Sequence, residues 1–180
     1  WQTPLATEVA YALGRRFGAF LNTHEAKSIV VGYDGRLSSE ALNTALLEGL
    51  TDQGINVLSI GLCTTPMVSF AHFHKHPNAA ILTTGSHNPK EYNGLKMLNH
   101  EGEFLSATDG QEILDIKAEG KYMYADVDHL GTETKYYNHT KEHIQKILEL
   151  DLVDVDLIKS KKYKVCVDAI NSVGGSAVPM

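Results

Sequence analysis

The chain has 180 residues, enough for one domain or for one domain and a piece of another. Its 43% hydrophobic and 21% charged content can fill the core of an ordinary globular protein, and no apolar run nears the roughly 18 residues that span a bilayer. A net charge of −6 with no basic patch argues against nucleic-acid binding, and a substrate anion must be attracted by local groups.

Residues 7–21 place Val9, Leu13, Phe17 and Phe20 at helical spacing, which predicts an amphipathic helix. Residues 28–33 (SIVVGY) are short and β-branched, as a buried strand should be. Asp34-Gly35-Arg36 turns the chain, and Ser38 or Ser39 is expected to cap a helix with Leu42, Leu46 and Leu50 on its face. Gly54 ends that helix, and residues 55–60 form the next strand. Pro66 suits the first turn of a third helix, which Pro77 stops. Residues 78–84 and 94–98 read as third and fourth strands. The gap between them holds no helix, so the fourth is expected to run antiparallel.

A helix over 106–118, with Ile113 and Ile116 inward, is followed by an irregular polar stretch over 119–137. Residues 140–150 read as a helix and 151–162 as a helical or looped linker. Residues 163–168 (YKVCVD) read as a new buried strand before a glycine-rich turn. Strands thus alternate with helices, which implies an α/β domain with a largely parallel sheet of about four strands. Cys63 and Cys166 lie far apart in apolar surroundings and read as reduced, packed thiols of a cytoplasmic protein. The chain begins at Trp1 without an initiator Met or a leader pattern, so it reads as processed or cut from a longer chain.

Ser86 directly follows the third strand, at the sheet edge where α/β ligand sites gather. Gly85 permits close approach, Pro89 stiffens the exit, and His87 stands beside the hydroxyl. A rigid, exposed serine next to a histidine is what a phosphoryl-carrying nucleophile needs. These residues alone also suit a plain polar turn, and a motif this short does not decide between the two.

The longer string Thr83-Thr84-Gly85-Ser86-His87-Asn88-Pro89-Lys90-Glu91-Tyr92-Asn93-Gly94-Leu95-Lys96 resembles the phosphoserine signature of the α-D-phosphohexomutase superfamily. Residues 30–39 (VVGYDGRLSS) resemble that family's upstream strand and turn. Residues 167–175 (VDAINSVGG) look like the start of its second domain. The resemblance implies a three-layer α/β/α first domain with a mixed, mostly parallel sheet over residues 1–138. It also implies a helical linker over 139–162 and the truncated start of a second, similar domain over 163–180.

By the same resemblance, Ser86 carries a phosphoryl group, gives it to a hexose monophosphate, and recovers it from the other position of a bisphosphate intermediate. Mg²⁺ is expected on a phosphoserine oxygen, with Ser86 as this chain's metal ligand and a hexose 1,6-bisphosphate as activator. His87 and Lys96 are the candidates for moving the hydroxyl proton and positioning the phosphate. His87 moves the hydroxyl proton, as imidazoles do in general acid–base catalysis, or orders the loop by a hydrogen bond. Lys96 is an electrostatic clamp or a solvated strand-end lysine. Arg36 and Asn88 are candidate phosphate-binding residues. Arg36 reads equally as support for the loop or as a turn arginine paired with Asp34. Tyr92 and Asn93 are expected to shape the loop.

The family's N-terminal arginine segment, metal-holding aspartate loop, sugar-recognition loop and last phosphate-binding loop are not in this sequence. The chain alone is therefore expected to be inactive, with the remaining domains of its polypeptide as partners. The hexose is undecided between a phosphoglucomutase/phosphomannomutase and a phosphoglucosamine mutase. A non-catalytic sugar-phosphate-binding module and a phosphatase are readings from other classes. Asp151, Asp154 and Asp156 read as a solvated helix face, and His72, His74 and His76 lack the third ligand a zinc site needs.

Overall fold

The computed structural model describes residues 6–119 and 124–180. In chain order the elements are α1 (Thr7–Thr23), β1 (Ser28–Tyr33), α2 (Ser39–Thr51), β2 (Asn56–Leu62), α3 (Thr65–Lys75), β3 (Ala79–Thr83), β4 (Leu95–Leu98) and α4 (Ala107–Glu119). A 3-10 turn (Val127–His129), β5 (Glu133–Lys135), α5 (His139–Leu148), α6 (Val155–Ser160) and α7 (Gly174–Ala177) follow. The sheet order is β4-β3-β1-β2-β5. Every pair is parallel except β3–β4, which is antiparallel as the short connection implied.

Alternation along β1 builds the three layers. Ile29 and Val31 face α1, α2 and α4, where they meet Phe17, Leu46, Leu50 and Ile113. Val30 faces the other way, onto Met67, Val68 and Ala71 of α3. The chain leaves β1 for β2 by α2, then crosses back by α3 to place β3 on the other side of β1. β1 and β3 therefore flank the switch point of the sheet, where an α/β fold opens a crevice at its carboxyl edge.

The structure corrects four local expectations. The inward face of α1 is Ala10, Gly14, Phe17, Gly18, Phe20 and Leu21, while Val9 is 44% exposed. Small residues set this rotation. A Cβ on Gly14 would lie 2.4 Å from the Leu46 carbonyl oxygen, and one on Gly49 2.3 Å from that of Tyr11. The α1 and α2 backbones thus touch at reciprocal glycines, which a count of bulky side chains overlooks.

Second, neither Ser38 nor Ser39 makes a side-chain cap on α2. Ser38 is the N-cap residue without such a bond, and the Ser39 hydroxyl turns to Asp34 instead. Third, the polar stretch hides a fifth strand. β5 has no apolar alternation because all three residues are exposed at the sheet edge. The part of that stretch at 120–123 lies outside the described residues.

Fourth, residues 163–168 form no strand, and Tyr163, Val165 and Val167 are exposed. An apolar run becomes a strand only beside another strand, and this one has none among the described residues. Cys166 is accordingly exposed rather than packed, whereas Cys63 is buried and burial pushes its thiol up to about 12. Just beyond, Val173 joins the α3-side core, and Ser172 fills the space a Cβ on Gly35 would need.

The remaining decoys resolve as ordinary structure. Asp154 caps α6 by accepting the Leu157 amide at 2.8 Å. His72 is buried with Nε2 2.9 Å from the His100 carbonyl oxygen. No helix among the described residues is long and apolar enough to cross a membrane.

Gly49→Ala tests the helix seam. The added methyl meets backbone on α1 that cannot rotate away, so unfolding should become easier by about 1–3 kcal/mol. Denaturant titration should show a lower midpoint at unchanged slope.

Candidate active site

Two adjacent strand ends build the site. β1 ends at Tyr33 and hands the chain to Asp34, Gly35 and Arg36. β3 ends at Thr83 and hands it to Thr84, Gly85 and Ser86. The Asp34 amide donates to the Thr83 carbonyl at 3.0 Å, which registers the two exits. The Thr84 amide donates to the Gly94 carbonyl at 2.8 Å, which closes the neck of the loop over residues 85–93.

Ser86 is exposed and sits in the left-handed region at φ 54. That conformation costs a serine about 1–2 kcal/mol, so neighbouring contacts must hold it. Its amide donates to Thr84 Oγ1 at 2.9 Å. The Asn88 amide reaches the Gly85 carbonyl at 3.0 Å, and the Tyr92 amide reaches that of Pro89 at 3.0 Å. The loop is two successive turns.

Arg36 spans the underside of these turns. Nη1 donates to the carbonyls of Pro89 and Tyr92, both at 2.8 Å. Nη2 donates to those of Ser86 at 3.0 Å and Asn88 at 2.7 Å. Nε lies 3.4 Å from Asp34 Oδ2. Gly85 has no side chain because the guanidinium occupies its place: a Cβ there would lie 2.3 Å from Arg36 Cζ.

Asp34 is the hub beneath. Oδ1 accepts the Ser39 hydroxyl at 2.6 Å and the Arg36 amide at 3.1 Å, and Oδ2 accepts the Thr84 hydroxyl at 2.6 Å. Burial alone would raise this carboxyl. The hydrogen bonds from Ser39, Thr84 and the Arg36 amide, with the Arg36 charge, outweigh burial and hold it below its ordinary 3.8. Asn93 ties the far side of the loop to α2, donating through Nδ2 to Ser38 and Ser39 Oγ, each at 2.9 Å.

His87 is exposed, with Nδ1 3.5 Å from Ser86 Oγ, the outer limit of a hydrogen bond. Lys96 is half-buried on β4 opposite Leu82 and has no hydrogen-bond or ion-pair partner among the described residues. By strand alternation it shares the α3-side face with Leu82 and Leu98. Asn88 is exposed on the same loop.

All five sequence candidates therefore fall on the carboxyl edge of β1 and β3 or on the neighbouring β4. Sequence reasoning passed over the roles of Asp34, Thr84 and Ser39. The available signal was a polar residue directly after each of two strands destined to be neighbours.

No group of three His, Cys, Asp or Glu side chains among the described residues could hold a metal ion. Asp34, whose carboxylate bonds Thr84 at the neck of the loop, has both oxygens engaged. These residues do not make a magnesium site by themselves, and Ser86 offers one oxygen.

A doubly wound sheet with a left-handed serine turn at its switch point defines a layered α/β/α domain, and comparison with known proteins agrees. Residues 2–123 match the family described as phosphoglucomutase/phosphomannomutase, alpha/beta/alpha domain I, and the chain belongs to that family. It is 34% identical over 176 residues to a phosphoglucomutase of Neisseria meningitidis serogroup A, covering 96% of this chain and 35% of that protein. It is 33% identical over 175 residues to a probable phosphoglucosamine mutase of Pyrococcus abyssi, covering 97% of this chain and 37% of the relative. The chain spans about a third of the length of these relatives. A phosphoglucomutase/phosphomannomutase family protein from Burkholderia thailandensis superposes with a TM-score of 0.73 at 28% identity, over 82% of this chain and 32% of that one.

Asp34 sets a pH dependence for the loop. Its carboxyl titrates lower in the folded protein than in the unfolded chain, so its stabilisation is fully present above the ordinary carboxylate range. That stabilisation is lost as pH falls below 3.8 and through the folded value. Hydrogen exchange followed by mass spectrometry, corrected for intrinsic rates, should show the 85–94 amides losing protection on acidification. Asp34→Ala should reproduce that loss at neutral pH and lower stability by about 1–3 kcal/mol, because it strands buried hydroxyl donors.

Proposed function

We propose that this chain is the nucleophile-bearing first domain, over residues 1–138, of a phosphohexomutase. The enzyme transfers a phosphoryl group between two positions of a hexose phosphate. The observation that carries the reading is the Ser86 hydroxyl, exposed in a left-handed turn at the switch point with an imidazole nitrogen 3.5 Å away. A fixed, solvent-facing oxygen needs no reorganisation to give or accept a phosphoryl group.

In the forward step a hexose hydroxyl attacks the phosphorus on Ser86. The new O–P bond forms as the Oγ–P bond breaks, the hexose hydroxyl proton passes to a base, and the departing Oγ takes a proton from an acid. His87 suits that acid, and the base of the return step when the Ser86 hydroxyl attacks, since its ring adjoins Oγ and imidazole can give or take a proton. Lys96 and the Asn88 side-chain carboxamide suit the phosphoryl oxygens. The bisphosphate then presents its other phosphate to Ser86, and the same step runs backward. A hexose 1,6-bisphosphate would phosphorylate an unmodified Ser86 and so activate the enzyme. Magnesium supplies charge neutralisation when bound on the phosphoserine, and its other ligands would come from outside these residues.

In this reading residues 139–162 are a linker and 163–180 open a second domain. The rest of the polypeptide supplies sugar recognition, and the setting is cytoplasmic. A binding module would have no use for a nucleophile held this way.

The full-length protein, freshly purified, should carry one phosphoryl group on Ser86, seen by intact mass before and after phosphatase treatment. Ser86→Ala should remove both that mass and the mutase activity. Absence of phosphate, no activation by a hexose 1,6-bisphosphate and unchanged activity in Ser86→Ala would together overturn the assignment. Rates on glucose, mannose and glucosamine phosphates identify the sugar.

A further inference from the structure

We infer that Arg36 is a positioning residue that holds Ser86 for reaction and does not bind the phosphoryl group. The inference rests on the mutase reading for its kinetic part only. A guanidinium has five N–H donors and no acceptor. Four are taken by the carbonyls of Ser86, Asn88, Pro89 and Tyr92, and the Nε donor faces Asp34 Oδ2 at 3.4 Å. No N–H remains for a phosphate oxygen unless the loop gives one up.

Charge points the same way. Asp34 holds its proton weakly because Ser39, Thr84 and the Arg36 amide bond its oxygens, so the guanidinium already faces a carboxylate. The arginine stands beneath the backbone, pressed against the hydrogen-only face of Gly85, while the Ser86 side chain is open to solvent. Its bonds go to the carbonyls of residues 86 and 88, on either side of His87. They therefore fix the peptide orientations that aim the Ser86 hydroxyl and the His87 ring. Asn93 and Thr84 pin the ends of the loop, and Arg36 pins its middle.

Lysine cannot replace this geometry, because one ammonium offers three donors from a single point and cannot reach carbonyls spread over two turns. Arg36→Lys in the full-length enzyme should lower kcat about 100-fold through loss of alignment, with KM for the hexose phosphate unchanged within about threefold. Hydrogen exchange in the same variant should be faster for the 85–94 amides and unchanged in α1 and α2. Gly85→Ala drives a methyl into the guanidinium from the other side and should give the same local exchange pattern. It serves as the deciding variant if Arg36→Lys fails to fold.

A rise in KM of tenfold or more with kcat retained would make Arg36 a phosphate ligand and overturn the proposal. Wild-type exchange in the loop of both variants would overturn it as well. If the unmodified enzyme shows no mutase activity, the functional reading fails, and the exchange arm still decides whether Arg36 holds the loop.

Discussion

The pairing of Arg36 with Asp34 is the contact on which the serine loop depends. Each residue alone would be a liability. Asp34 is a partly buried carboxylate, and Arg36 is a cation lodged under a backbone. Together they cancel most of their charge, and each uses its remaining capacity on the loop: Arg36 on four carbonyls, Asp34 on the hydroxyls of Ser39 and Thr84. Three separate pieces of chain, the β1 exit, the start of α2 and the β3 exit, meet in one network. Losing one member leaves the others as unsatisfied polar groups in a half-buried place, which is why such networks hold or fail as units.

This arrangement also assigns the charges around Ser86. The chain is acidic overall, so attraction of a phosphate falls to local cations. Arg36 is neutralised and saturated. Lys96 is uncommitted among the described residues and stands on β4, the strand that returns from the loop. The division suits the chemistry. A group that holds the nucleophile must not let go when phosphate arrives, and a group that meets the phosphate must be free beforehand. Ser86 occupies an unfavourable backbone region, and the bonds that Arg36 and Thr84 make to its backbone offset that cost.

Much of this was legible in the sequence, for reasons tied to range. The alternation of short β-branched runs with amphipathic segments gave the layers. The missing helix between residues 84 and 94 gave the antiparallel return of β4. The serine loop stood out because its chemistry is contiguous. Long-range features were less legible. The Arg36 contacts run to residues 50 to 56 positions away and end on carbonyls, which carry no residue identity. The α1 face was misjudged because glycine and alanine make the contact with α2. β5 is too short and polar to show a period, and the run at 163–168 has the composition of a strand without a neighbour to pair with.

The bonds that Arg36 makes are blind to side chains but not to count. Residues 87, 90 and 91 can be exchanged without disturbing any carbonyl that the guanidinium holds. The number of residues between Ser86 and Tyr92 cannot change so freely. One inserted or deleted residue shifts the downstream carbonyls along the chain by up to about 3.5 Å, more than a hydrogen bond can stretch. Arg36 is in this sense a gauge of length. The loop thus tolerates a change of side chain at these positions better than a change of length between residues 86 and 92, a limit set by backbone geometry.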